Sequence, residues 1–165
     1  MSDIENMATD ANNAAEVQFL IQRVYVKDLS FEAPGAPAVF QEAWQPELAI
    51  DVHTAYSELH AGVYEVVLSL TVTVKNEKKV AFLVEIKQAG IFTIQGSSSE
   101  QLDHLLYSFC PTILFPYARE AVGSQVTHGS FPQLVLAPIN FDMLYLQRKQ
   151  QQAAELPMSE TTTIN

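Results

Sequence analysis

Along the first half of the chain the apolar positions keep a two-residue beat. Val17 to Val26 is rich in β-branched and aromatic residues, and Leu48 to Tyr56, Val63 to Lys75 and Val80 to Ile94 each alternate in part between apolar and polar positions. Gly62 and the stretch Asn76 to Lys79 supply turns between the later runs. Four strands in sequence, joined partly by hairpin-like turns, predict an antiparallel sheet. Between the first two strands, Lys27 to Pro46 carries Pro34, Gly35, Pro37 and Pro46, which predicts a long irregular connection.

After Gln95 and Gly96 the beat changes. Ser97 and Glu100 have the spacing of a capping box, and Leu102, Leu105, Leu106 and Phe109 recur at helical intervals. Pro111 and Pro116 interrupt the run, yet Ile113, Leu114, Tyr117, Ala121 and Val122 keep its period, predicting one long kinked helix that ends before Gly129. A Pro-flanked link, Phe131 to Pro138, then leads to Asn140 as N-cap of a C-terminal helix presenting Phe141, Leu144 and Tyr145 on one face. Strands first and helices after make an α+β fold. Residues 1–15, acidic and without periodicity, and 153–165, which pass through Pro157 into a Ser/Thr tract, are expected to be disordered tails around one domain, 16–152.

Composition narrows the function. A chain of 165 residues that is 48% hydrophobic and 17% charged has enough apolar material for one core. Its net charge of −10 repels phosphate backbones and anionic lipid, which argues against nucleic acid and membrane surfaces as partners. The single cysteine, Cys110, excludes an internal disulfide, in keeping with a reducing cytoplasm. Met1 to Glu16 has four acids, no base and no apolar stretch, unlike a signal peptide, and no run approaches the roughly 20 apolar residues of a membrane span.

Catalytic chemistry finds little support. His53, His60, His104 and His128 form no metal-ligand spacing, and the six glycines build neither a phosphate-binding loop nor a nucleophile elbow. Cys110 and His104, six apart, fall on different sides of a helix, so Cys110 is better explained as a buried small apolar residue. The expectation is a non-enzyme with no metal and no cofactor.

Three features remain. Asp28 to Val74 holds seven acids and no Lys or Arg, which makes either a solvated rim or a face for a basic partner. Phe31, Phe40 and Trp44 sit on the predicted connection, where aromatics either pin a loop to the core or line a groove. Finally, two helices cover one sheet face incompletely, so the remaining apolar surface is expected to meet copies of this chain or an apolar ligand.

The runs QFLIQRVYVKDLSFEAP (Gln18 to Pro34), WQPEL (Trp44 to Leu48), YEVVLSLTVTV (Tyr64 to Val74), CPTILFPYARE (Cys110 to Glu120) and FPQLVLAPINFDMLY (Phe131 to Tyr145) resemble the bacterial SecB family of protein-export chaperones. The resemblance runs in unbroken order from about Val17 to Gln152. It implies a four-stranded sheet with a long kinked helix and a C-terminal helix, assembling as a dimer of dimers. It also implies ATP-independent holding of unfolded precursor proteins in the cytoplasm and their delivery to the translocation ATPase SecA. By position, the SecA-contacting residues fall on Asp28, Glu32, Leu83 and Glu85. Assembly contacts fall on Val84, Ile86 and Gln88, joined by Tyr107, Phe109 and Tyr117 on the long helix. The client groove is expected between Phe31, Phe40 and Trp44 and Phe141, Leu144 and Tyr145. The alternative is a non-catalytic adaptor for one hydrophobic peptide partner. Val84 stands where some relatives carry Cys, and the basic turn Lys75 to Lys79 has no assigned role.

Overall fold

Four strands, β1 (Gln18–Glu32), β2 (Pro46–His60), β3 (Val63–Asn76) and β4 (Lys79–Gln95), form one antiparallel sheet in the order β1-β4-β3-β2. A computed structural model describes residues 16–155; the N-terminal tail 1–15 and the C-terminal residues 156–165 lie outside the described residues. β2, β3 and β4 follow one another through tight hairpins. β1 instead lies beyond β4, so the segment 33–45 must carry the chain from one sheet edge to the other, about 14 Å across three strand spacings. Its Pro content suits a path that donates little to any ladder.

Strand β1 is longer than its sequence indicated. It runs on through Asp28 to Glu32, so Phe31 belongs to a strand and not to the connection. Pairing with β4 supplies the reason, because Leu29, Ser30, Phe31 and Glu32 stand opposite Ile86, Glu85, Val84 and Leu83. A long-range ladder extends a segment whose local composition points to a loop.

The alternation in β3 and β4 divides the sheet into two faces. Val66, Leu68, Leu70 and Val72 in β3 and Phe82, Val84 and Ile86 in β4 are at most 2% exposed. They are covered by a helix of 30 residues, here α1, made of Ser99–His104, a π turn Leu105–Phe109 and Cys110–His128. Its buried stripe is Leu106, Cys110, Leu114, Ala118, Val122 and Val126, all with no exposed surface. Repeating every fourth residue, the stripe drifts slowly around the helix axis and so follows a twisted sheet. Gly90 lets α1 come close, since a Cβ there would stand 3.0 Å from Leu114 and nearer still to the Phe92 ring.

The helix opens one residue later than its sequence indicated. Ser98, not Ser97, caps it: its hydroxyl accepts from the Gln101 N–H at 3.2 Å, and the Ser98 N–H donates to Gln101 Oε1 at 2.9 Å. Glu100 takes a first-turn position instead, where its charge suits the helix dipole. The π turn precedes Pro111, which has no N–H to offer a regular ladder. Burial holds the Cys110 thiol as an unreactive group, its pKa pushed up to about 12.

The last helix, α2 (Phe141–Glu155), starts under Asn140, whose side chain accepts from the Met143 N–H at 3.0 Å. It continues through Gln150–Glu155, so residues 153–155, expected in the tail, are helical, and the remainder of that expectation lies outside the described residues. Gln, Ala and Glu propagate a helix without needing an apolar stripe.

One assembly expectation is corrected here. Val84, Ile86 and Gln88 are 0%, 1% and 2% exposed beneath their own protomer's helix, and have no surface left for a partner. The β-strand alternation that separates them from Leu83 and Glu85 is as expected, but what covers them is α1. Ile86→Ala should therefore cost about 2–5 kcal/mol of protomer stability in chemical denaturation. Ile86→Lys should yield unfolded chain instead of folded, dissociated protomers, which circular dichroism and light scattering distinguish.

Candidate binding surfaces

On the face of the sheet away from α1, odd positions of β3 and β4 meet their cross-strand partners from the neighbouring strands. Glu32 stands opposite Leu83, Ser30 opposite Glu85 and Asp28 opposite Lys87, so Asp28, Glu32, Leu83 and Glu85 gather on one strip, with Lys87 at its Asp28 end. Asp28, Glu32 and Glu85 are exposed and Leu83 is half-buried. None of the three carboxylates has a basic partner within 4.0 Å among the described residues.

Glu65, on the same face, is differently placed. Lys27 Nζ reaches its carboxylate at 2.5 Å and the Tyr25 hydroxyl donates to it at 2.5 Å. The Lys27 hydrogen bond foremost, and then that of Tyr25, holds the Glu65 carboxyl below the usual carboxylate range. Burial, reinforced by this hydrogen bond, pushes the Tyr25 hydroxyl up to about 12. Glu65 is thus already neutralised, and the charge offered to a basic partner is that of the Asp28, Glu32 and Glu85 strip.

Aromatic residues build the second surface on the helix side. Phe131, just past the end of α1, lies with ring centroids 4.8 Å from Phe82, 5.1 Å from Phe40, 5.8 Å from Trp44 and 6.3 Å from Phe31. Gly129 makes room for this cluster: a Cβ there would stand 2.3 Å from the Phe31 ring. The connection is both pinned and left open. Val39 is buried, while Phe40 remains 47% exposed at a cleft of about 150 Å³ lined by Val39, Phe40, Glu42, Trp44 and Phe131.

The other expected groove residues lie elsewhere. Phe141 packs against Phe115, with ring centroids 6.0 Å apart, and Tyr145 against His104, in a hollow shared with Val17 and Leu105. Phe141 and Tyr145 are buried and Leu144 is 39% exposed. The two sets therefore do not meet in one pocket. What connects them is the segment 131–140, which runs back along α1 and leaves successive clefts at Phe131 and Pro132, at Gln133 to Val135 against Pro116 to His128, and at Pro138 to Asp142. By helical rise, Thr112 to Gly129 spans about 25 Å. Phe82, Phe131 and Gly129 were missed as members of this surface, since no spacing along the chain links them to Trp44.

On α1, Phe109 and Tyr117 are 44% and 53% exposed, whereas Tyr107 is half-buried between Tyr56, with centroids 5.4 Å apart, and the Arg148 guanidinium, 3.4 Å above its ring. α2 is fastened to α1 at its start, where Asp142 accepts hydrogen bonds from the Ser108 hydroxyl and from His104 Nε2, the latter at 2.9 Å. The Ser108 hydrogen bond first, and His104 second, lower the Asp142 pKa. A depressed folded-state pKa gives stability that is whole above the ordinary carboxylate value, near 4, and is lost as pH falls through the lowered one. The melting-temperature gap between the parent protein and Asp142→Asn should accordingly be open at neutral pH and close on acidification below about pH 4. A gap that persists there would assign the effect to something other than the carboxylate.

Among the described residues no group of three or more potential metal ligands gathers, and no helix is long and apolar enough to cross a membrane. A family model described as preprotein translocase subunit SecB matches residues 12–152. The protein-export protein SecB of Legionella pneumophila strain Corby is 61% identical over 160 residues, 96% of this chain and 98% of that protein. Its counterparts in strains Lens and Paris match equally well. Among solved structures, a SecB-like chaperone of Mycobacterium tuberculosis, in complex with a peptide from an antitoxin, shares the fold: TM-score 0.62 at 19% identity, covering 76% of this chain and 92% of that one.

Proposed function

The chain belongs to the SecB family and is a protein-export chaperone, not an enzyme; from that premise we propose that it holds precursor proteins unfolded in the cytoplasm and hands them to the translocation ATPase SecA. The observation that carries the handover is the sheet strip. Three carboxylates without a basic partner among the described residues, Asp28, Glu32 and Glu85, flank the half-buried Leu83 on a face that none of the described helices covers. Such a strip suits a basic tail carrying one apolar side chain. Each exposed ion pair contributes only about 0–1 kcal/mol, but a cluster steers encounter and is screened by salt, while Leu83 adds short-range contact.

Client holding is assigned to the helix side. Phe40 and Trp44 wall its first cleft, with Phe31 supporting it from behind Phe131, and the line of clefts along 131–140 leads an extended chain toward Phe141, Leu144 and Tyr145. Each apolar side chain of a client buried there contributes about 1.5–3 kcal/mol, without demanding a particular sequence. Several such sites on one assembly raise apparent affinity through effective concentration, which favours a tetramer, a dimer of dimers. Phe109 and Tyr117, exposed on α1, and Tyr107 beside them are the residues we assign to the contact between protomers. No nucleotide is needed to hold a client, since burial alone supplies the free energy.

Glu85→Lys tests the handover. It should weaken binding of the isolated SecA tail in titration calorimetry, with the parent's affinity falling as salt rises, and should leave client binding unchanged. Equal affinities of variant and parent at low salt would reduce the strip to solvated surface. For assembly, light scattering of the parent should report several times the protomer mass of 18.3 kDa, and Tyr117→Arg should lower it. A parent that stays monomeric at micromolar concentration overturns the tetramer.

A further inference from the structure

Asn76, which ends β3, is 1% exposed, one of three buried polar residues among the described ones. A buried amide is costly unless both of its functions are bonded. Here both are: Asn76 Oδ1 accepts from the Gln45 N–H at 2.8 Å, and Nδ2 donates to the Ala43 carbonyl at 3.0 Å. A donor on one side and an acceptor on the other dictate the orientation of the amide. The two bonds bracket Trp44, so a side chain takes the place of a neighbouring strand for the backbone that carries the indole.

The turn that follows makes this possible. Glu77 and Lys78 both adopt left-handed φ values, 49° and 67°, closing a two-residue hairpin in which Asn76 pairs with Lys79. The pairing with β4 shifts by one residue between Val74 and Lys75, while within β3 Asn76 keeps the buried phase of Val72 and Val74, which aims it at the connection. Lys79 adds a long contact to Glu42, 3.8 Å away, too exposed to contribute much.

We infer that Asn76 is a positioning residue for client binding, holding Ala43 and Gln45 so that Trp44 stands as a wall of the cleft, and that this is what the Asn76 to Lys79 turn does. The inference rests on the reading that this cleft receives clients. Trp44 is the protein's one tryptophan and reports directly. Asn76→Ala should shift Trp44 emission, increase its quenching by acrylamide and weaken binding of a reduced, alkylated unfolded protein about five- to tenfold, while SecA-tail binding is unchanged. Asn76→Asp keeps the acceptor for Gln45 and loses the donor to Ala43, so it should fall between, and it serves if the alanine variant does not fold. Val122→Ala, a core truncation in α1, should lower the melting temperature yet leave Trp44 emission and client affinity alone.

Unchanged emission and affinity in the Asn76 variants overturn the inference, as does an equal loss of affinity in Val122→Ala, which would make the effect one of general stability. Trp44→Ala separates the two levels. If it binds clients as the parent does, the cleft reading fails and takes the inference with it. If it loses binding while the Asn76 variants keep theirs, the inference alone falls.

Discussion

Every fourth residue of α1 from Leu106 to Val126 is sealed against the even positions of β3 and β4, and most of the molecule follows from that contact. Each fully buried Leu or Val contributes roughly 1.5–3 kcal/mol, so this one surface outweighs any surface ion pair by an order of magnitude. It commits one face of the sheet to the core and leaves the other without a helix among the described residues. It also explains why α1 tolerates Pro111 and Pro116: the loss of backbone hydrogen bonds is offset by side chains that are already buried, and a π turn absorbs the mismatch before Pro111.

With the faces divided, two kinds of recognition need not compete. In the proposed reading the uncovered face is polar, and the carboxylates of Asp28, Glu32 and Glu85 would act through long-range, salt-sensitive attraction that allows rapid release. The helix side is aromatic and furrowed, and in the same reading would act through short-range burial that tolerates many sequences. Glu65 marks the limit of the electrostatic strip, because Lys27 and Tyr25 already satisfy it. The proposal thus places the held chain and the protein that reads it on opposite sides of one sheet.

The connection from β1 to β2 shows how an irregular segment can be held as firmly as a strand. It crosses the end of the sheet because β1 pairs with β4 and not with β2. Val39 and Trp44 hold it to the core from within, Phe131 caps it from the end of α1, and Asn76 takes its backbone bonds from the hairpin. Phe40 is left half exposed as a result, a large aromatic covered among the described residues on one side only, by Phe131.

Local pattern alone determined the strand and helix content, the antiparallel hairpins, the Asn140 cap, the stop before Gly129 and the burial of Cys110, because each depends on residues within a turn or two of one another. The resemblance to SecB pointed to Asp28, Glu32, Leu83 and Glu85 as partner contacts, and strand periodicity put Leu83 and Glu85 on one face. What only the tertiary structure decided involves partners far apart in the chain. The β1–β4 ladder carries Phe31 into a strand. α1, not another protomer, covers Val84, Ile86 and Gln88. The Phe131 cluster draws from β1, the connection, β4 and the end of α1. Asn76 looks like an ordinary turn residue until the connection is laid across it. Periodicity says that a side chain faces inward; it does not say which element fills the space in front of it, since that is set by packing between segments tens of residues apart.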